Sequence, residues 1–254
     1  MANEAPKKSN APMLIIGAVL VIALIGGWYL MSNRTSTGNG NGVKPPPTNR
    51  VTIPANAPPG ANPPNQAGSP TAAVTIEEFA DFQCPQCAAK HPVMNEIKAM
   101  YGSRIRFIFR DFPLKIPAHD KSYEAAVAAE AAGNQGKFWD MQNILFTNQQ
   151  AWTASPTYKQ IWKDYATRIG LDIDKWQNDM LGIAAKGRVD QDISRGDGLG
   201  VNSTPTVFIN GVNVDLSDMT VDSMKRLIDA AIAAGGPAKP VEPSNASANA
   251  NTNK

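Results

Sequence analysis

The chain has 254 residues, a formal net charge of +2, two cysteines and two histidines. The balanced charge argues against a nucleic-acid-binding protein, because no large basic field is present. Two cysteines cannot form the framework of a disulfide-rich secreted domain, and two histidines leave few ligands for a metal centre. The chemistry is therefore expected at the cysteines, Cys84 and Cys87, which lie three positions apart.

The first predicted element is a transmembrane anchor at residues 13–31. Every residue in this run is apolar, Gly, Trp or Tyr, and a helix of this length spans about 30 Å of hydrocarbon. Lys7 and Lys8 precede the run, so residues 1–12 are expected in the cytoplasm and the rest outside, as in a single-pass protein of the cell membrane with a periplasmic domain. A cleaved signal peptide is the alternative, although its apolar region is usually shorter.

Low-complexity segments flank the central part of the chain. Residues 32–71 are rich in Gly, Asn, Thr and Pro. They lack the apolar residues of a core, so a disordered linker is predicted. Residues 235–254 are predicted to be a disordered tail on the same grounds. The folded unit is then expected at residues 72–234, which is an ordinary size for a single domain.

The first half of this unit predicts a βαβ arrangement. A buried strand is expected over residues 73–79, a helix from about residue 85 to 100, and a second strand over residues 104–109. Strand, helix and strand at this spacing form a βαβ unit. The apolar face of the helix is assigned to Val93, Ile97 and Met100.

The second half begins with a predicted helical insertion at about residues 118–197. Gly133 and Gly170 are expected helix ends, because Gly suits the left-handed position after a helix. A β-hairpin follows, with strands at residues 206–209 and 212–214 around an Asn210-Gly211 turn. A final helix over residues 221–234 completes a βαβ, helical block, ββα order.

The two cysteines lie where the first strand gives way to the first helix. Free amides and the dipole at a helix N-terminus favour a thiolate, so Cys84 is the expected nucleophile, with a depressed pKa. Pro85 suits the first helical turn, and Gln86 offers an amide donor without positive charge. Cys87, one turn further in, is the expected resolving thiol.

A Cys-x-x-Cys pair has two other common uses. Structural zinc needs two more ligands, and His91 and His119 match no common spacing, so no metal is predicted. An inert structural disulfide would close a loop too short to gain much entropy.

A proline directly before a central strand, as in Ser203-Thr204-Pro205-Thr206, is disfavoured unless it has a special role. A trans proline opening an edge strand is the alternative there.

Together these motifs resemble the DsbA-like branch of the thioredoxin superfamily over about residues 72–234. The features that carry the resemblance are the strand with Glu78, then Cys84-Pro85-Gln86-Cys87, Arg110-Asp-Phe-Pro113, the Ala-rich helix followed by Gly136-Lys-Phe-Trp139, and Thr204-Pro205. The resemblance implies an α/β, thioredoxin-like fold with an inserted helical subdomain. It also implies a cis Pro205 beside the dithiol, where Thr204 and Pro205 would bind an extended substrate peptide.

Three further residues are candidates for a role at or near the site. Glu78 precedes Cys84 by six residues, where thioredoxin-like families often place a buried acid, and we expect it to carry the proton of Cys87. An exposed strand residue is the alternative for Glu78. His91 is expected to be a solvated helix residue, and His119 a cap or packing residue.

Three functions are compatible with these motifs. The favoured one is a thiol–disulfide oxidoreductase that forms disulfides in exported proteins and is reoxidised by a quinone-linked membrane partner, since disulfides persist outside the cytosol. The second is an extracytoplasmic reductase or isomerase supplied by a membrane electron donor. The third is a non-catalytic module that binds peptides or a metal. No organic cofactor is predicted, because the thiols themselves carry the electrons.

Overall fold

The computed structural model describes residues 53–54 and 56–235. Within this part of the chain, one mixed sheet has the strand order β1-β3-β2-β4-β5. Its strands are β1 (Asn65–Gly68), β2 (Val74–Ala80), β3 (Ile105–Asp111), β4 (Thr206–Ile209) and β5 (Val212–Val214). Strands β2 and β3 are parallel, and the other pairs are antiparallel. The central strand β2 therefore leads directly to the dithiol from its carboxyl end.

The helices follow the predicted order. Helix α1 (Pro85–Tyr101) connects β2 to β3, and α8 (Val221–Ala233) follows the β4–β5 hairpin. The inserted helices between β3 and β4 are α2 (Ser122–Gly133), α3 (Phe138–Thr147), α4 (Gln149–Thr153), α5 (Tyr158–Arg168), α6 (Ile173–Leu181) and α7 (Ile183–Gly198). The predicted α/β fold with an inserted helical subdomain is confirmed.

The end of the predicted linker is folded, which corrects the boundary placed at residue 71. Strand β1 lies inside the range 32–71 and pairs with β3 from Asn65, opposite Phe109, to Gly68, opposite Arg106. Ala61 is only 1% exposed. Residues 32–52 and 55 of the predicted linker lie outside the described residues, as do the predicted anchor and nearly all of the predicted tail.

The buried Arg110 and the partly buried Arg195 explain why such a polar, Pro-rich segment is ordered. Arg110 donates hydrogen bonds to the carbonyl oxygens of Pro59 and Ala61, and Arg195 donates to that of Pro58. Both guanidinium groups also pair with Glu77, at 2.7 Å. The backbone carbonyls thus satisfy donors that would otherwise be buried without partners, and these bonds add to the few apolar contacts that Ile53 and Ala57 make.

The buried face of α1 differs from the prediction. Its buried residues are Cys87, His91, Met94, Ile97 and Tyr101, whereas Met100 is 37% exposed. These positions recur every three or four residues, as expected for one helix face. The assignment of Met100 to the core was wrong because His91 was not counted as a buried position.

No helix within residues 53–54 and 56–235 combines the length and the apolar character that crossing a membrane requires. The anchor predicted at residues 13–31 falls outside this range. It therefore stays a prediction from sequence.

Candidate active site

The dithiol lies at the start of α1. Cys84 has extended backbone angles, φ −70° and ψ 119°, and is the residue that caps the helix. Pro85 occupies the first helical position, where it loses no hydrogen bond. Both cysteines are free thiols, Cys84 with 6% and Cys87 with 1% of its surface exposed. Pro85 and Gln86 are exposed beside them, so the site opens to solvent on the Cys84 side.

The pKa values of the two thiols are shifted in opposite directions. A hydrogen bond from the Cys87 thiol lowers the pKa of Cys84 to about 6, with help from Thr204 and the backbone N–H groups of Gln86 and Cys87 and against the effect of burial. Burial raises the pKa of Cys87 well above its ordinary value, and the neighbouring Cys84 adds to this. At neutral pH Cys84 is therefore the thiolate and Cys87 holds its proton, which is the division of roles predicted from the sequence.

Thr204 and Pro205 lie against the dithiol. The Sγ atom of Cys84 is 3.2 Å from the backbone carbonyl oxygen of Thr204, to which the thiol donates. The peptide bond between Thr204 and Pro205 is cis. The Thr204 hydroxyl is buried and forms no hydrogen bond of ordinary geometry with another described residue, but it lowers the pKa of both thiols.

Glu78 is buried, with 4% of its surface exposed. Loss of hydration raises the pKa of its carboxyl to about 7, and the charge of Lys98 opposes this increase. Burial also lowers the pKa of Lys98. Lys98 is absent from the residues predicted from sequence, although it follows Cys87, His91 and Met94 at helical spacing on α1. That spacing was the signal available for finding it.

The turn before Cys84 is held by polar residues that the motifs did not predict. Gln149 Nε2 donates to the carbonyl oxygens of Phe82 and Cys84 at 2.7 and 2.9 Å. Asp81 accepts hydrogen bonds through both carboxylate oxygens, one of them from His119 at 2.6 Å. Nothing in the local sequence indicated these contacts, because the partners lie more than 30 positions away.

The two histidines have different surroundings. His91 was expected to be solvated, but it is buried, with its ring centroid 4.9 Å from that of Phe146. Its Nε2 atom lies 2.9 Å from the side-chain oxygen of Asn143, and burial lowers its pKa. The prediction for His91 was wrong because the helix turns that position toward α3. His119 packs against Asp81, which agrees with the expectation of a cap or packing residue.

One group of carboxylates in the described residues has spacing suited to a metal ion. Oxygen atoms of Asp111, Glu130 and Asp192 lie within 4.8 Å of one another, and all three residues are buried. Two already have cationic partners, since Arg110 pairs with Asp192 at 2.8 Å and Arg188 pairs with Glu130. Burial raises the pKa of Asp111 well above its ordinary value. This cluster can therefore balance its charge through the protein's own groups.

Comparison with known proteins gives a family match over most of the folded part. A family model described as thioredoxin matches residues 62–230. Among curated proteins, the Na(+)/H(+) antiporter NhaA 1 of Mycolicibacterium gilvum is 37% identical over 146 residues, which is 57% of this chain and 23% of the antiporter. The NhaA 3 protein of Salinispora tropica is 36% identical over 144 residues, or 57% and 21% of the two chains. The chain thus spans under a quarter of these relatives.

Solved structures share the fold at low sequence identity. BdbD from Bacillus subtilis has a TM-score of 0.58 and 21% identity, covering 68% of this chain and 97% of its own. The α-DsbA1 protein of Wolbachia pipientis has a TM-score of 0.58 and 20% identity, with 68% and 92% covered. A thioredoxin-like oxidoreductase from Silicibacter pomeroyi has a TM-score of 0.51 and 24% identity, with 65% and 92% covered. The DsbA-like resemblance seen in the sequence is confirmed at the level of the fold.

Proposed function

Since the chain belongs to the thioredoxin family, we propose that it is a protein-disulfide oxidoreductase of the DsbA-like type, which forms disulfides in exported proteins through Cys84 and Cys87. The observation that carries the proposal is the difference between the two thiols. Cys84 lies at a helix N-terminus with a pKa of about 6, and Cys87 is buried behind it with a raised pKa.

This difference favours the oxidising direction. A stabilised thiolate lowers the free energy of the reduced dithiol, and the corresponding disulfide then accepts electrons more readily. The same low pKa makes Cys84 a good leaving group when a mixed disulfide is resolved by a substrate thiol. Cys84, at the N-terminal end of α1, would therefore be the sulfur that substrate thiolates attack when the disulfide accepts electrons.

The reaction consists of two exchanges. A substrate thiolate attacks Sγ of Cys84 in the enzyme disulfide, which forms a mixed disulfide and releases Cys87 as a thiolate that takes up a proton. A second substrate thiolate then attacks the substrate sulfur of this mixed disulfide. A substrate disulfide forms and Cys84 leaves as a thiolate, so the substrate loses two electrons and the dithiol gains them.

Glu78 supplies the proton for the buried thiol in this scheme. Its pKa of about 7 means that both protonation states are populated near neutral pH, which suits a group that gives and takes a proton. Lys98 helps to keep the ionised form accessible, because its charge opposes the effect of burial on Glu78. The proton would pass to Cys87 when it leaves and return when the dithiol is reoxidised.

Substrates are proposed to bind as extended peptides beside Thr204 and Pro205. The Thr204 carbonyl already contacts Cys84, so a chain aligned with this backbone would bring its own sulfur to the nucleophile.

The predicted anchor at residues 13–31 supports a location at the outer face of the cell membrane. A membrane redox partner, linked to quinones, would accept the electrons from Cys84 and Cys87.

The direct test is oxidation of a reduced, unfolded secretory protein, such as ribonuclease A, by the oxidised full chain in detergent. Regain of ribonuclease activity, with one substrate disulfide formed per chain reduced, supports the proposal. Cys84→Ser should abolish the reaction. Failure of the wild-type chain to oxidise thiols, together with rapid reduction of disulfides in insulin by its reduced form, would make it a reductase instead.

A further inference from the structure

The carboxylate of Asp81 joins the turn before the dithiol to the inserted segment after β3. Its Oδ1 atom accepts the backbone N–H of Gln83 at 2.7 Å and the hydroxyl of Ser122 at 2.5 Å. Its Oδ2 atom accepts the backbone N–H of Leu114 at 2.9 Å and the Nδ1–H of His119 at 2.6 Å. The side chain of Asp81 has no exposed surface. Four donors thus fill the acceptor sites of one buried carboxylate.

The same residue contacts the dithiol through its backbone. The carbonyl oxygen of Asp81 accepts the N–H of Cys84 at 3.1 Å. A backbone hydrogen bond from Asp81 also lowers the pKa of Cys87, against the larger effect of burial. The orientation of the Asp81 peptide groups therefore bears on the sulfur of Cys87 and on the backbone of Cys84, and the carboxylate fixes that orientation from the other end of the residue.

We infer that Asp81 is a positioning residue of the dithiol, which holds the turn of residues 81–84 against the segment of residues 114–122 so that backbone donors remain aimed at the two sulfur atoms. This inference rests on the proposed function for its meaning in catalysis. The stabilisation of a thiolate by helix-terminal N–H groups depends on their alignment, which falls off quickly as a hydrogen bond bends. A loosened turn would therefore weaken the thiolate.

Asparagine cannot take this place. Its single carbonyl oxygen accepts at most two of the four hydrogen bonds, and its amide hydrogens would face donors instead of acceptors. Whichever way the amide is turned, the backbone N–H of Gln83 or that of Leu114 would be left without a partner. A buried donor without a partner is unfavourable, so the turn would have to rearrange.

Geometry and charge make opposite predictions for Asp81→Asn. Removal of a nearby negative charge, with the turn unchanged, would lower the pKa of Cys84, because a thiolate is less disfavoured without it. Loss of alignment would raise this pKa from about 6 toward its ordinary value. The sign of the shift therefore separates a positioning residue from a carboxylate that acts only by its charge.

The experiment is a titration of the Cys84 thiolate in the reduced full chain, followed by ultraviolet absorbance and by the rate of alkylation against pH. No protein substrate is involved, so the result is independent of whether the chain oxidises exported proteins. Asp81→Asn is expected to raise the pKa by about one unit or more, which lowers the thiolate fraction near pH 6 severalfold. The matched control is Glu96→Gln, which removes an exposed carboxylate on α1 and should shift the pKa by less than about 0.3 units.

Ser122→Ala serves if Asp81→Asn does not fold, because it removes one donor and no charge. It is expected to move the pKa in the same direction by about half a unit, with thermal stability reported alongside. An unchanged pKa in a variant that has lost stability would reduce Asp81 to a structural residue and overturn the inference. A lowered pKa would overturn it as well, in favour of a purely electrostatic role.

Discussion

The Sγ atom of Cys84 lies 3.2 Å from the carbonyl oxygen of Thr204, although 120 positions separate the two residues. This contact joins the start of α1 to the segment that enters β4. A thiol at this position can donate to the carbonyl, whereas a thiolate would be repelled by it, so the stabilisation comes first from the Cys87 thiol and then from the hydroxyl of Thr204 and the helix N–H groups. The acidity of Cys84 is therefore set by groups from two distant parts of the chain.

Replacement of the two cysteines should give different results. Cys84→Ser should abolish exchange, because the nucleophile is lost. Cys87→Ser should retain attack at Cys84 and accumulate mixed disulfides, because the resolving thiol is absent. Non-reducing gel electrophoresis with a reduced substrate protein and an oxidised small thiol would detect these adducts. Equal trapping by both variants would contradict the assignment of Cys84 as the attacking residue.

Thr204→Val should make the dithiol less oxidising. The change keeps the shape and the backbone carbonyl but removes the hydroxyl that lowers the pKa of both thiols. We expect the pKa of Cys84 to rise by up to about one unit and the reduction potential to fall by up to about 30 mV. Redox titration in glutathione buffers measures the potential, with Thr206→Val as the matched control. A potential unchanged within error would show that the hydroxyl is not a thiolate donor.

Glu78→Gln should slow the step in which Cys87 leaves. In the wild-type chain the rate of substrate oxidation should fall as the pH rises through about 7, because Glu78 loses the proton that Cys87 needs. The variant should be at least about tenfold slower at pH 6 and should lack this inflection. Stopped-flow fluorescence provides the rates, and Glu96→Gln, an exposed position on α1, is the control. An identical pH profile in variant and wild type would exclude Glu78 as the proton carrier.

The stability of the reduced form relative to the oxidised form should depend on pH through Cys84. Its folded pKa is lowered to about 6, so the stabilising effect is present above the pKa of an unfolded cysteine, about 8.5, and is lost as the pH falls toward 6. We expect the difference in free energy of unfolding to grow by about 2 kcal/mol from pH 6 to pH 8.5, because solvent screens part of the effect. The raised pKa of Cys87 opposes this growth only near and above pH 8.5, where an unfolded cysteine ionises. Denaturant unfolding of both forms tests this, and a difference that stays flat or shrinks over that range would contradict it.

Arg110→Met should destabilise the fold strongly. Arg110 is buried with Glu77 and Asp192, and it also donates to the carbonyl oxygens of Pro59 and Ala61. Glu77 would keep its pairing with Arg195, but the buried Asp192 would lose its pairing with Arg110, which costs about 3–5 kcal/mol. Urea unfolding measures the loss. The control is Arg106→Met on the same strand, where the guanidinium bonds to Gln66. A loss below about 1 kcal/mol for Arg110→Met would show that the network is readily replaced.

The elements predicted from local pattern were found close to their expected limits. The hairpin at residues 206–209 and 212–214 was located to the residue, since its alternation and the Asn210-Gly211 turn are local signals. Strand β1 was missed because Asn65–Gly68 carries no apolar alternation and is held as an edge strand by its pairing with β3. An edge strand fixed by backbone bonds leaves little trace in composition.

The residues of the site also fall into two groups, those that a local motif predicts and those that only the fold brings together. Cys84, Cys87 and Thr204-Pro205 could be found because each belongs to a short motif with a chemical reason. Asp81 and Gln149 could not, because their function depends on partners brought close only by the fold. The burial of His91 could have been inferred from its spacing to Cys87 and Met94 on one face of α1.

The reduction potential of the Cys84–Cys87 pair in the full chain, measured in glutathione buffers, tests the oxidising function most directly. A thiolate stabilised at pKa about 6 predicts a value toward the oxidising end of the known range, between about −120 and −180 mV. A value near about −270 mV, typical of reducing thioredoxins, would contradict the proposed oxidase function and make this chain a reductase.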